Sequence, residues 1–78
     1  MLAIDSRMAY RVYDDFDESE ITVQDDGSFL VHTSFPPGAW ILSFILGYGD
    51  AAQVLEPEAL RSKVCAALQK MIALYEKT

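Results

Sequence analysis

The chain is poor in the residue types that most local chemistry needs. Its one cysteine, Cys65, permits no internal disulfide, and a Cys-rich zinc module lacks its thiolates. That usage fits a reducing cytoplasm. The one histidine, His32, would have to serve any Ser-His-Asp or Cys-His constellation, yet no spacing brings Cys65 or a third partner to it. No apolar run approaches the roughly 18 residues of a membrane span. Met1 is not followed by the basic stretch and apolar core of a secretory signal. Cations are scarce as well: six Lys and Arg stand against twelve Asp and Glu, a net charge of −6 at pH 7. Such a chain repels phosphate backbones, which argues against DNA binding by it alone. The expectation is a cytoplasmic, non-enzymatic protein that holds no cofactor or metal and contacts neither membrane nor nucleic acid directly.

Material for a core is plentiful. Of 78 residues, 51% are hydrophobic, with four Phe, four Tyr and one Trp. That is enough aromatic area to offset the entropy of ordering the chain. The length fits one domain over residues 1–78, in which only roughly 60% of the unfolded surface can be buried. Repeats, linkers and low-complexity segments are absent from the sequence.

The hydrophobic period changes along the chain. Leu2-Ala3-Ile4 alternates as a strand, and Asp5 or Ser6 is placed to cap a helix from Arg7 to about Phe16. Met8, Ala9, Val12, Tyr13 and Phe16 would share its buried face. Ile21 and Val23, then Phe29 to Phe35, read as strands around Asp25-Asp26-Gly27-Ser28, a hairpin turn in which glycine supplies positive φ. Phe29, Val31, Thr33 and Phe35 would face one way, Leu30, His32 and Ser34 the other. Pro36-Pro37-Gly38 ends this run and starts a helix with the stripe Trp40, Ile41, Phe44, Ile45 and Tyr48. Gly47 and Gly49 offer a left-handed exit from it. Ala51 to Leu55 reads as a fourth strand. Glu56-Pro57-Glu58 opens a last helix of roughly 30 Å, buried along Leu60, Val64, Ala67, Leu68, Met71, Leu74 and Tyr75.

This order predicts an α+β fold: a ferredoxin-like β-α-β-β-α-β sandwich with a four-stranded antiparallel sheet, two helices on one face and an additional C-terminal helix. That helix would cover the open sheet face, pack beside the other helices, or reach a second chain.

Several features invite a functional reading. Seven of the twelve acids fall within the thirteen residues 14–26, without the ligand spacing of a calcium loop. They read as a solvated edge or as a docking face for a basic surface. Acylphosphatases share the ferredoxin-like fold, but this chain has no Asn and no Gly-rich loop after its first strand. Trp40, Phe44 and Tyr48 read most simply as core, with a partly exposed Trp40 anchoring a partner as the alternative. The candidate ligand or interface contacts are Arg7, Arg11, His32, Trp40 and Arg61. Arg61 would meet Glu56, Glu58 or a partner's carboxylate.

In order, Tyr10-Arg11-Val12-Tyr13-Asp14, Asp26-Gly27-Ser28, Trp40, Gly47-Tyr48-Gly49, Val54-Leu55-Glu56-Pro57, Leu60-Arg61 and Leu74-Tyr75 resemble the C-terminal extension, or WCX domain, of WYL-domain bacterial helix-turn-helix transcriptional regulators. The resemblance covers nearly the whole chain and implies a ferredoxin-like fold. In that family a DNA-binding helix-turn-helix and an effector-sensing WYL domain precede the extension. Neither is present here, and Leu2 falls where the first strand should already be under way, so Met1 looks like the start of a fragment. The resemblance implies a non-catalytic module for oligomerisation or for relaying effector binding to DNA binding. Its implied partners are the upstream domains of the parent chain and a second copy in a homodimer. One alternative is a free-standing small-molecule sensor; another is an acidic antagonist that mimics nucleic acid.

Overall fold

A computed structural model describes residues 1–34 and 40–77; the expectations for Phe35 and Pro36-Pro37-Gly38 lie outside the described residues. The fold is α+β. Strands β1 (Leu2–Ile4), β2 (Ile21–Val23), β3 (Phe29–Val31) and β4 (Ala52–Val54) form one sheet in the order β2-β3-β1-β4. Every neighbouring pair is antiparallel. Helix α1 (Ala9–Asp15) joins β1 to β2, and α2 (Trp40–Leu46) lies between β3 and β4 in the chain. β3 therefore splits the first strand-helix-strand half and β1 the second, the interleaving of two split β-α-β units.

The register explains the core. Ile21, Val31, Leu2 and Val54 form one cross-strand row, and Val23, Phe29, Ile4 and Ala52 form another on the same face. Val12 of α1 with Phe16 just after it, and Ile41 and Ile45 of α2 with Tyr48 in the turn that follows, pack against these rows, so both helices cover one face. The row between them, Thr22, Leu30, Ala3 and Gln53, points the other way, as period-two alternation demands.

Local chemistry sets the joints. The Asp5 carboxylate accepts the Arg7 N–H at 3.0 Å, and the chain enters α1 through a 3-10 turn over Ser6–Met8. The expected helix from Arg7 is thus shorter as an α-helix, and Phe16 is already extended. In the hairpin, the Gly27 N–H closes on the Gln24 carbonyl at 3.0 Å, and only Gly27, with φ of 86°, is left-handed. Asp26 serves by accepting the Ser28 N–H at 2.9 Å and its hydroxyl; these bonds hold its carboxyl below the usual range. After α2 the left-handed residue is Gly49, with φ of 62°, and not Gly47. A 3-10 turn over Gly49–Ala51 then shortens the expected fourth strand at its start.

Three expected buried faces are trimmed. On α1, Ala9 and Tyr13 are exposed, because the short helix turns only Val12 squarely to the sheet, with Phe16 added by the extended residue after it. On α2, Trp40 is 50% exposed at the first turn. The largest departure is α3 (Glu58–Glu76), which packs beside α2 and β4. Leu60 and Val64 join the core, but Leu68, Met71, Leu74 and Tyr75 are exposed. The helix outruns the sheet it leans on, so Leu68, Met71 and Leu74 on the second half of its stripe stay exposed. No helix of the described residues is long and apolar enough to cross a membrane.

Candidate interaction surface

The densest side-chain cluster joins α1 to the end of α2. Arg11 Nε donates to Asp15 Oδ2 at 2.7 Å, one helical turn away, and its Nη1 reaches the Gly47 carbonyl at 3.4 Å. The same Asp15 oxygen accepts the Tyr48 hydroxyl at 2.5 Å, within the range of a charge-assisted O–H···O bond. The guanidinium lies 4.1 Å from the Tyr48 ring centroid, so cation, carboxylate and phenol form a closed triangle. The Asp15 bond and charge raise the Arg11 pKa. Burial first, then the bond to Asp15, raises the pKa of Tyr48 well above the ordinary tyrosine range.

Aromatic rings extend this cluster along α2. Tyr48 meets Phe44 edge-on at 5.8 Å, Phe44 meets Phe16 at 5.8 Å, and Trp40 lies 6.1 Å from Phe44. A Cβ at Gly47 would sit 3.2 Å from the Phe44 carbonyl, a tight contact, and 4.0 Å from Arg11 Nη2, an ordinary one.

Replacing Tyr48 with Phe should lower stability at neutral pH by about 1–2 kcal/mol, because a part-buried charge-assisted bond is lost. In the unfolded chain a tyrosine ionises near pH 10, whereas folded Tyr48 keeps its proton. Its contribution is therefore fully present below about pH 10 and declines as pH rises above that value. Urea unfolding of both proteins at neutral and strongly alkaline pH should show the gap between them shrinking; a constant gap would refute the assignment.

The sequence-derived contacts do not converge on one site. Arg7 pairs with Asp50 at 2.8 Å and with Asp5 at 3.7 Å, all three well exposed. Such pairs contribute little stability. Arg11 is held in the triangle, away from Arg7's partners. His32 is exposed beyond β3, its backbone N–H donating to the Glu20 carbonyl at 2.8 Å. Arg61 is exposed on α3 and makes no ion pair with Glu56 or Glu58. Cys65 is also exposed on α3. Among the described residues no group of His, Cys, Asp and Glu is arranged to hold a metal. A shallow depression of about 200 Å³ between Asp5, Ser28, Asp50 and Gln53 is open to solvent.

Part of the acidic run is structural. Asp15 belongs to the triangle, Glu20 accepts the Asp17 N–H at 3.1 Å, and Asp26 braces the hairpin. Sequence reasoning missed the role of Asp15, although its spacing of four from Arg11 is a local signal. Tyr48 carried no such signal, since its hydroxyl meets Asp15 across 33 positions.

The WCX domain family matches residues 1–72, nearly the whole described fold. The chain belongs to the WCX domain family. Protein PafC of Mycobacterium leprae (strain TN) is 38% identical over 53 residues, covering 68% of this chain and 16% of PafC. The matched stretch thus spans about one sixth of that relative's length. No solved structure matches the chain.

Proposed function

We propose that this WCX domain is the non-catalytic C-terminal module of a WYL-family transcriptional regulator, contributing to oligomerisation and to the relay between effector binding and DNA binding. Its partners in this reading are the WYL and helix-turn-helix domains upstream in the parent chain, with a second subunit in a homodimer. The family match over residues 1–72 carries the reading. The form of α3 supports it: a helix seated on the core at one end and presenting exposed Leu68, Met71 and Ile72 at the other suits a module that works against another body. A relay needs contacts that differ between two states of the parent, and a projecting helix can make and break them without disturbing the core.

Deleting residues 67–78 from the intact regulator tests this while leaving Leu60 and Val64 in place. The expected result is a change in oligomeric mass and loss of the effector-dependent change in DNA affinity. Retention of both would refute the proposal.

A further inference from the structure

Among the described residues, the apolar stripe of α3 packs on the core over only its first half. At about 100° per residue, Leu60, Val64, Leu68 and Met71 follow one side of the helix. Leu60 and Val64 pack on the core. Further along, Leu68, Met71 and Ile72 are 43%, 42% and 56% exposed. The distal half repeats the pattern that seats the proximal half.

Charge is segregated in the same way. Residues 1–58 carry eleven of the twelve acids and two of the six basic residues; residues 59–78 carry four basic residues and one acid. Both arginines of the body are already paired with its own carboxylates. Lys63, Lys70 and Lys77 recur every seven residues and so line one flank of the α3 stripe. Their long apolar stems let the charges reach past a docked edge.

The body carries the converse surface. Tyr13 and Val23 are 49% and 58% exposed. Phe29 links them: its ring meets Tyr13 edge-on at 5.9 Å, and its backbone pairs with Val23. Asp14, Glu18 and Asp25 on the neighbouring segments are exposed, and none forms an ion pair among the described residues. This patch adjoins β2, whereas α3 packs on β4 at the opposite edge of the sheet. A chain's own α3 is therefore remote from its own patch, and a second copy offers the same patch to it.

We propose that the distal half of α3, through Leu68, Met71 and Ile72 with its lysine flank, docks on the acid-rimmed Tyr13–Val23 patch of a second copy of this chain. Two arms exchanged in this way close a two-fold dimer, since each contact is repeated with the roles reversed. The inference rests on the oligomerisation reading above and supplies its surface. Such a contact is modest in area and sensitive to salt, because its charged rim is solvent-exposed.

Sedimentation equilibrium of the 78-residue chain tests it. At low salt the chain should form dimers in the micromolar range, weakening about tenfold or more as salt approaches about 0.5 M. Lys63→Glu/Lys70→Glu and Asp14→Lys/Glu18→Lys should each be monomeric, and an equimolar mixture should restore a heterodimer. Circular dichroism should show both variants folded, since all four positions are exposed. A wild type that stays monomeric would overturn the proposal, as would dimers that survive both charge reversals or a mixture that fails to associate. Dimers lost in Met71→Asp but kept in both reversals would mean α3 pairing with α3, which also overturns it. If this surface fails while deletion of residues 67–78 still uncouples the intact regulator, the functional reading stands; a dimer formed as proposed beside an unaffected regulator has the opposite meaning.

Discussion

Phe29→Ala is expected to lower the unfolding free energy by about 3–5 kcal/mol. Leu30→Ala, one position along the same strand, should lower it by about 1 kcal/mol. Phe29 is 4% exposed, lies in the core-facing row with Ile4, and meets the Tyr13 ring. Its removal leaves a cavity between β3 and α1 that a close-packed core collapses into only partly. Leu30 sits in the opposite-facing row and is half-buried. A domain of this size has a total stability of about 4–12 kcal/mol, so the first substitution removes a large share of it. In thermal terms each 1 kcal/mol corresponds to about 4–8 °C of Tm. Urea and thermal unfolding followed by circular dichroism would measure both; equal losses would mean that the strand register is wrong.

The second large contrast lies along α3. Val64→Asp should cost about 2–4 kcal/mol, because it puts a carboxylate against the core under the helix. Leu74→Asp lies on the same helix and removes a larger apolar side chain, yet Leu74 is 66% exposed. Its effect should stay within about 0.5 kcal/mol. Chemical unfolding at sub-micromolar concentration, where subunits are dissociated, isolates the effect within one chain. A comparable loss from Leu74→Asp would show that the distal helix is packed against its own domain.

Local rules made much of the fold legible. The Asp-Gly turn, the Asp5 cap, the opening of α3 at Pro57 and the alternation of Phe29, Leu30 and Val31 all depend on backbone preferences within a few residues. The stripe on α3 was equally legible, but reading all of it as buried was wrong. Periodicity states that a face is apolar; it carries no information on how far the covering surface extends. Trp40 shows the same limit, since it continues the α2 spacing yet is half-exposed. Within the candidate surface, the Arg11–Asp15 contact is visible as a spacing of four, whereas the phenol that completes it comes from the turn after α2.

By itself the sequence determined the class and order of elements, the turn chemistry, the acidic balance and membership of the WCX family. These follow from residue type and near-neighbour spacing, which act before the chain is compact. Only the tertiary structure decided that β1 sits between β3 and β4, that Tyr48 closes on Asp15, and that Leu60 and Val64 join the core while Leu68 and Met71 stay exposed. Those outcomes depend on groups distant in the chain meeting at a few ångströms, and that is settled by how the layers pack together.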